Sequence, residues 1–174
     1  MKNLRPTLVL MAGLPGAGKT TLAYGLGQEL HWQVIDKDQH RQVLLREGLD
    51  LETAGKIAYE LSFVTARTAL KRQQASVILD TAALDLFVLD AVEEIISCVD
   101  QAQLKVILCV ADRDLRNHRL RNRPNQPSSI RVDPETIPDY LRYFKHLPEN
   151  RRLTLYTNDP FKDCLAKAKD YVMR

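Results

Sequence analysis

Cysteine is scarce in this 174-residue chain. Cys98, Cys109 and Cys164 lie far apart, and no two have CxxC spacing. An odd, dispersed set argues against a disulfide framework or a cysteine-built metal site, and fits a reducing compartment, the cytoplasm. His31, His40, His118 and His146 show no metal-ligand spacing either. No apolar run approaches the ~18 residues of a membrane span. The start, MKNLRPTLVLMAG, is basic and then apolar. Its apolar run leads straight into a glycine-rich loop that cleavage would destroy, so no signal peptide is expected. The net charge of +3 is too small to argue nucleic-acid binding from charge alone. There is no internal repeat and no low-complexity tract.

The length suits one domain over residues 1–174, large enough to bury roughly 70% of the surface of the unfolded chain. Five apolar runs read as strands: TLVLMA at 7–12, WQVID at 32–36, SVILD at 76–80, LKVILCVA at 104–111 and LTLYT at 153–157. Helical patterns fall between and after them, over 18–30, 52–74, 83–99, 113–123, 134–146 and 160–173. The 52–74 segment shows a stripe of Ile57, Leu61, Val64, Thr65 and Ala69, and 83–99 one of Leu86, Leu89, Val92, Ile95, Ile96 and Val99. Alternating strands and helices predict an α/β domain with a mainly parallel sheet and right-handed crossovers. Ligands of such sheets sit outside the carboxyl ends of the strands, which puts Gly13, Asp36, Asp38, Asp80 and Asp112 on one rim. The segment 123–138, RPNQPSSIRVDPETIP, reads as a mobile loop.

GLPGAGKT, residues 13–20, matches G-x-x-x-x-G-K-[ST] in full, with a strand before it and a helix pattern (Leu22, Leu26, Leu30) after it. Gly13, Leu14, Pro15, Gly16, Ala17, Gly18, Lys19, Thr20 and Thr21 thus form a candidate site for a nucleoside triphosphate. Inward N–H groups at a helix start make an anion nest. Lys19 can bridge the β- and γ-phosphates and Thr20 can offer its hydroxyl to Mg²⁺. The loop alone does not say whether the γ-phosphate is transferred, hydrolysed or only held.

VIDKDQHR, 34–41, supplies Asp38 and Arg41, three apart and on one helical face. A carboxylate there can orient an acceptor hydroxyl and take its proton, and a guanidinium can hold an anionic part of the acceptor. The pair equally fits a helix N-cap with a solvated partner. SVILD ends in Asp80, the form of a carboxylate that supports Mg²⁺ beside the loop threonine, with Asp36 as a weaker rival. RDLRNHRLRNR, 113–123, packs five arginines into eleven residues. Arg116, Arg119 and Arg123 make one stripe, with Asp112 and Asp114 able to cap the helix. The stripe reads either as a lid that brings arginines over a phosphoryl group in transit, or as a solvated charged helix.

Together these residues resemble the small P-loop kinase family often labelled an AAA-type ATP-binding domain. It includes polynucleotide 5′-hydroxyl kinases, chloramphenicol phosphotransferase, zeta-toxin-like sugar-nucleotide kinases and gluconate-type kinases. The resemblance spans nearly the whole chain. It rests on GLPGAGKTT, on DKDQHR as a D-x-x-R acceptor motif, on VILDT as a second acidic motif, and on RNHRLRNR, where Arg119 and Arg123 match a lid R-x-x-x-R. VDPETIPDYLRYFKHLPE is similar to the segment that follows the lid.

The resemblance implies a three-layer P-loop NTPase fold. Its five-stranded parallel sheet has the order 2-3-1-4-5, with helices on both faces and an Arg-rich lid at about 113–138. It implies ATP and Mg²⁺, with Thr20 and Asp80 at the metal, Asp38 as general base and Arg41 at the acceptor. Lys19, Arg119 and Arg123 would act on the transferring phosphate. VILDT lacks the adjacent glutamate of many motor ATPases, and no N-K-x-D guanine motif is present. The reading is a kinase acting on a hydroxyl; the alternative is a nucleotide-binding regulator or slow ATPase without an acceptor. The acceptor stays open. A nucleic-acid 5′ end would need a basic groove, for which Arg41, Arg131, Arg142, Lys145, Arg151 and Arg152 are candidates if they are not simply solvated. A small molecule would need a closed pocket bordered by the 52–74 helix. Tyr140, Tyr143 and Phe144 fit helix packing better than an acceptor pocket.

Overall fold

A computed structural model describes residues 5–122 and 144–174. Five parallel strands are β1 (Thr7–Ala12), β2 (Gln33–Asp36), β3 (Val77–Asp80), β4 (Gln103–Val110) and β5 (Arg152–Tyr156). The helices are α1 (Lys19–Leu30), α2 (Lys37–Arg46), α3 (Leu51–Gln73), α4 (Leu86–Ser97), α5 (Arg113–Arg121) and α6 (Phe161–Met173). The sheet order is β2-β3-β1-β4-β5, as the resemblance implies. β1 is the central strand and is buried at all of its six positions, which is why TLVLMA is apolar without alternation.

Connection handedness sets the layers. The β1-to-β2 crossover runs one way across the sheet, and those from β2 to β3 and from β3 to β4 run the other way. Right-handed crossovers then put α1 on one face and α3 and α4 on the other. The packing agrees: α1 lies against α6, and α3 against α4. Parallel register lines up the carboxyl ends, with Asp36 beside Asp80, Asp80 beside Met11, and Val110 beside Tyr156. The residues just beyond those positions form the rim.

Two sequence expectations change. The apolar stripe read on α3 coincides with its buried face only at Ala69, for Leu61 and Val64 are 43% and 61% exposed. Ala54, Ala58, Ser62 and Ala66, at steps of four, are buried instead, with Ala69 and Leu70. α3 packs against α2, α4 and three strands. A ladder of small side chains permits that close approach and leaves the larger ones outside. The basic stripe on α5 is also broken, because Arg116 is buried at 3% exposure and its Nε donates to the Ala111 carbonyl at 3.3 Å. Arg123, most of the expected lid, Tyr140 and Tyr143 lie outside the described residues. Phe144 is buried in the core. None of the three cysteines is in a disulfide. Among the described residues no helix is long and apolar enough to cross a membrane.

Candidate active site

The loop between β1 and α1 takes its shape from its glycines. Gly13 has φ +139°, and a Cβ there would stand 2.4 Å from the Cys109 carbonyl oxygen. Gly16 has φ +79°, and a Cβ would stand 2.7 Å from the Arg116 carbonyl oxygen. Both positions combine a left-handed backbone with close approach to β4 and α5, so no larger residue fits without moving backbone. Gly18 sits at the N-cap of α1 with no side-chain cap. The first N–H groups of the helix are therefore left for an anion. Lys19 folds back over the loop and donates from Nζ to the Leu14 carbonyl at 3.1 Å.

Asp80 lies beside this loop and is nearly buried, and its Oδ1 has no hydrogen-bond partner among the described residues. Burial pushes its carboxyl up to about 6, although the Lys19 ammonium and a hydrogen bond from Thr20 pull the other way. A buried, under-bonded carboxylate next to a threonine hydroxyl and an anion nest fits a hard divalent cation such as Mg²⁺, which takes few protein oxygens and completes its shell with phosphate and water. Asp36 does not offer the same. Its Oδ1 accepts the Asp38 N–H at 2.8 Å and its Oδ2 accepts the Tyr24 hydroxyl at 3.4 Å. No group of three or more histidine, cysteine, aspartate or glutamate side chains that could hold a metal occurs among the described residues.

The α2 side resolves the role of Asp38 as a cap. The N-cap of α2 is Asp36, not Asp38. Asp38 sits in the first turn, and its Oδ1 is buried, lying in ion-pair distance of the Lys37 ammonium at 2.9 Å and the Arg41 guanidinium at 3.1 Å but without hydrogen-bond geometry to a partner among the described residues. The Arg41 side chain is only 6% exposed, so it is not a solvated partner. Lys37 Nζ also lies 4.9 Å from the centre of the Tyr59 ring, a cation–π contact. Tyr59 receives a hydrogen bond on its hydroxyl from Thr81 at 3.2 Å and is backed by Phe63 and Phe87.

On the other flank, Arg119 holds the loop to the end of β5. Its Nη1 donates to the Gly16 carbonyl and to Thr157 Oγ1, and its Nη2 donates to the Thr157 carbonyl, at 3.2, 2.9 and 2.8 Å. Thr157 Oγ1 in turn donates to the Ala17 carbonyl at 3.0 Å. A position of Arg119 over the γ-phosphate requires these bonds to be exchanged. Asp112 occupies the N-cap of α5 without a side-chain cap bond. It instead pairs with Asn158, whose Nδ2 donates to Asp112 Oδ2 at 2.7 Å.

These groups line one cavity of about 660 Å³ that runs from Asp38, Arg41 and Tyr59, past Lys19 and Asp80, to Arg119, Thr157 and Phe161. Of the loop residues, Pro15, Gly16, Gly18, Lys19, Thr20 and Thr21 line it. Of the candidates for a basic groove, Arg41 lines the cavity and Lys145 is exposed, while Arg151 and Arg152 are engaged elsewhere. Arg151 pairs with Glu93 at 2.5 Å, and Arg152 donates to the Phe144 and Leu147 carbonyls. Both lie at the amino end of β5, about 13 Å of strand away from the rim. Arg131 and Arg142 lie outside the described residues.

Lys37, Tyr59, Thr81 and Thr157 are site residues that the sequence reading missed. Thr157 was within reach of the carboxyl-end rule, since it directly follows LTLY. Lys37 was not, because neighbours on a helix do not face each other and its contact with Asp38 depends on a long side chain curling back.

Residues 8–147 match the model of an AAA domain family, and the chain belongs to that family. It shares its fold with kinases of known structure. The APS kinase CysC of Mycobacterium tuberculosis, in complex with AMPPNP and APS, superposes with a TM-score of 0.69 at 17% identity, over 98% of this chain and 99% of the other. A sugar kinase from Janibacter gives 0.66 at 15% identity, over 97% and 94%. A gluconokinase from Sinorhizobium meliloti gives 0.64 at 14% identity, over 97% and 92%. At these identities the likeness is one of fold. No curated protein sequence matches the chain.

Proposed function

We propose that this protein is an ATP-dependent kinase that transfers the γ-phosphoryl group to a hydroxyl of a small acceptor. The observation that carries this reading is the Asp38 carboxylate, fixed through one oxygen by two cations and placed on the wall of the cavity that the phosphate loop opens into. A pure nucleotide binder has no use for such a group.

The loop N–H groups and Lys19 hold the triphosphate, Lys19 leaving the Leu14 carbonyl to do so. Thr20 and Asp80 would hold Mg²⁺, which supplies charge neutralisation across the β- and γ-phosphates. With Oδ1 buried and ion-paired with Lys37 and Arg41, Oδ2 of Asp38 is the oxygen left to accept the acceptor O–H. As the acceptor oxygen bonds to the γ-phosphorus and the bond to the β,γ-bridging oxygen breaks, Asp38 takes the proton and ADP leaves. Arg119 and Thr157 keep the loop in shape and border the end of the cavity away from Asp38. Arg123 is the candidate for closing over the phosphoryl group, together with the lid at about 113–138. The protein contributes mainly positioning and charge.

The test is radiolabel transfer from γ-³²P-ATP with Mg²⁺ to a panel of sugars, nucleosides, amino-alcohols and 5′-hydroxyl oligonucleotides. Asp38→Asn should lower transfer at least ~100-fold, as loss of a general base does, while ATP affinity stays within about twofold. Equal turnover in the variant, or label released only as free phosphate whatever the acceptor, refutes the kinase reading and favours a slow ATPase.

A further inference from the structure

The aromatic wall of the cavity carries a hydrogen-bond donor that the protein itself leaves unused. Thr81 is 4% exposed, and its Oγ1 donates to the Tyr59 hydroxyl at 3.2 Å while accepting the Ala83 N–H at 3.4 Å. The two hydroxyls have two protons and only one bond between them. A buried threonine cannot turn its proton to water, so it gives it to Tyr59. The proton of the Tyr59 hydroxyl then has no acceptor among the described residues. The ring is already occupied: Lys37 lies over a face, Phe63 stacks against it and Phe87 meets it edge-on. Its hydroxyl end is what half-buried Tyr59 has left for the cavity it lines. If packing were its whole role, phenylalanine would serve.

The backbone beside Thr81 is strained. Ala83 is buried with φ +49°, a left-handed conformation that alanine disfavours. The same turn points the Ala82 carbonyl at the Gly13 N–H, 3.1 Å away. It therefore fixes Thr81 and the start of the phosphate loop together. Lys37 connects the other side, with its ammonium 2.9 Å from Asp38 Oδ1 and 4.9 Å from the centre of the Tyr59 ring. One small molecule with a hydroxyl at Asp38 can thus bring a second oxygen to Tyr59.

Building on the kinase reading, we propose that Tyr59 is a specificity-determining residue whose hydroxyl donates a hydrogen bond to a second oxygen of the acceptor. The acceptor then has at least two oxygen functions. One is the hydroxyl that is phosphorylated beside Asp38, and the other is a nearby hydroxyl, ether or carbonyl oxygen that meets Tyr59. A single alcohol would leave the phenol proton unpaired against bound substrate, and a site built to hydrogen-bond an oxygen rejects the analogue that lacks it. Thr81 is the positioning residue, since its own proton and the strained turn behind it set which way the Tyr59 hydroxyl points.

The experiment is radiolabel transfer from γ-³²P-ATP with Mg²⁺ by the full chain. The probes are glycerol, ribose, glucose and uridine, each beside its monodeoxy analogues, with butan-1-ol as a single alcohol. At least one parent should be phosphorylated. Removing one particular oxygen of it, other than the phosphorylated one, should lower kcat/KM about tenfold or more. In Tyr59→Phe that preference should shrink to within about threefold, because the variant has no proton to leave unpaired. AMPPNP affinity within about twofold of the wild type checks the fold. Every deoxy analogue or butan-1-ol used as well as the parents, the same oxygen preference in Tyr59→Phe, or no label on any of the four parents overturns the proposal. The kinase reading fails separately. Transfer that is lost in Asp38→Asn but ignores Tyr59 removes this proposal and leaves the kinase. Label released only as free phosphate, whatever the acceptor, removes both.

Discussion

Replacing Asp80 by asparagine should stabilise the nucleotide-free protein while disabling it. Burial raises the Asp80 carboxyl from its ordinary 3.8 to about 6, and Lys19 and Thr20 offset only part of that burial. The sign follows from linkage. Below about pH 3 the group is protonated in both folded and unfolded chains and adds little. As pH rises from about 3 the unfolded chain releases the proton first, so folding becomes less favourable, and the whole penalty is present by about pH 7. A rise of roughly two units at about 1.36 kcal/mol each is about 3 kcal/mol. Asparagine keeps the shape and the acceptor for Thr20 without the charge. In EDTA, Asp80→Asn should therefore gain between about 1 and 3 kcal/mol at pH 8 by urea denaturation, shrinking to about 1 kcal/mol or less at pH 4.5. With saturating ATP and Mg²⁺ the order should reverse, because the wild type then gains binding energy that the variant cannot. Equal stability of the two proteins at pH 8, or a gain of the same size at both pH values, refutes the assignment of Asp80 as a strained, buried carboxylate awaiting a cation.

Other predictions test the packing and the nucleotide end. Ala58→Leu on the buried face of α3 should cost about 1–3 kcal/mol by overpacking, while Leu61→Lys and Val64→Lys on the exposed face should stay within about 0.5 kcal/mol, both read from urea midpoints. The opposite ranking would restore the stripe that the sequence suggests. Thr157→Val keeps the side-chain shape but leaves the Arg119 guanidinium and the Ala17 carbonyl each short of a partner. It should cost about 1–3 kcal/mol and raise KM for ATP without changing KM for the acceptor. An unchanged KM for ATP would show that this clasp does not shape the loop.

The middle of the sheet was legible because β1, β3 and β4 are apolar runs, and parallel strands covered on both faces write that signature without alternation. The phosphate loop was legible because a left-handed backbone at Gly13 and Gly16 admits almost nothing but glycine. Asp36, Asp38 and Asp80 could be put on one rim from strand ends alone. The inward face of α3 could not be read, for apolar spacing marks possible faces and only the neighbouring α2 and α4 choose between them. Arg116 looked like part of an exposed stripe for the same reason.

The sequence by itself therefore determined the α/β class, the nucleotide loop and the carboxylates at the strand ends, because each depends on local backbone needs or on periodicity. It left Asp38 either a cap or a reactive group. Only the structure decided that Asp36, not Asp38, caps α2, that Asp80 is buried with an oxygen unpartnered among the described residues, and that Lys37 lies between a carboxylate and an aromatic face. The burial of Asp80 and the Lys37–Tyr59 contact depend on neighbouring elements, and the cap depends on which of two nearby aspartates the backbone presents to the helix start. Spacing along one chain does not encode them.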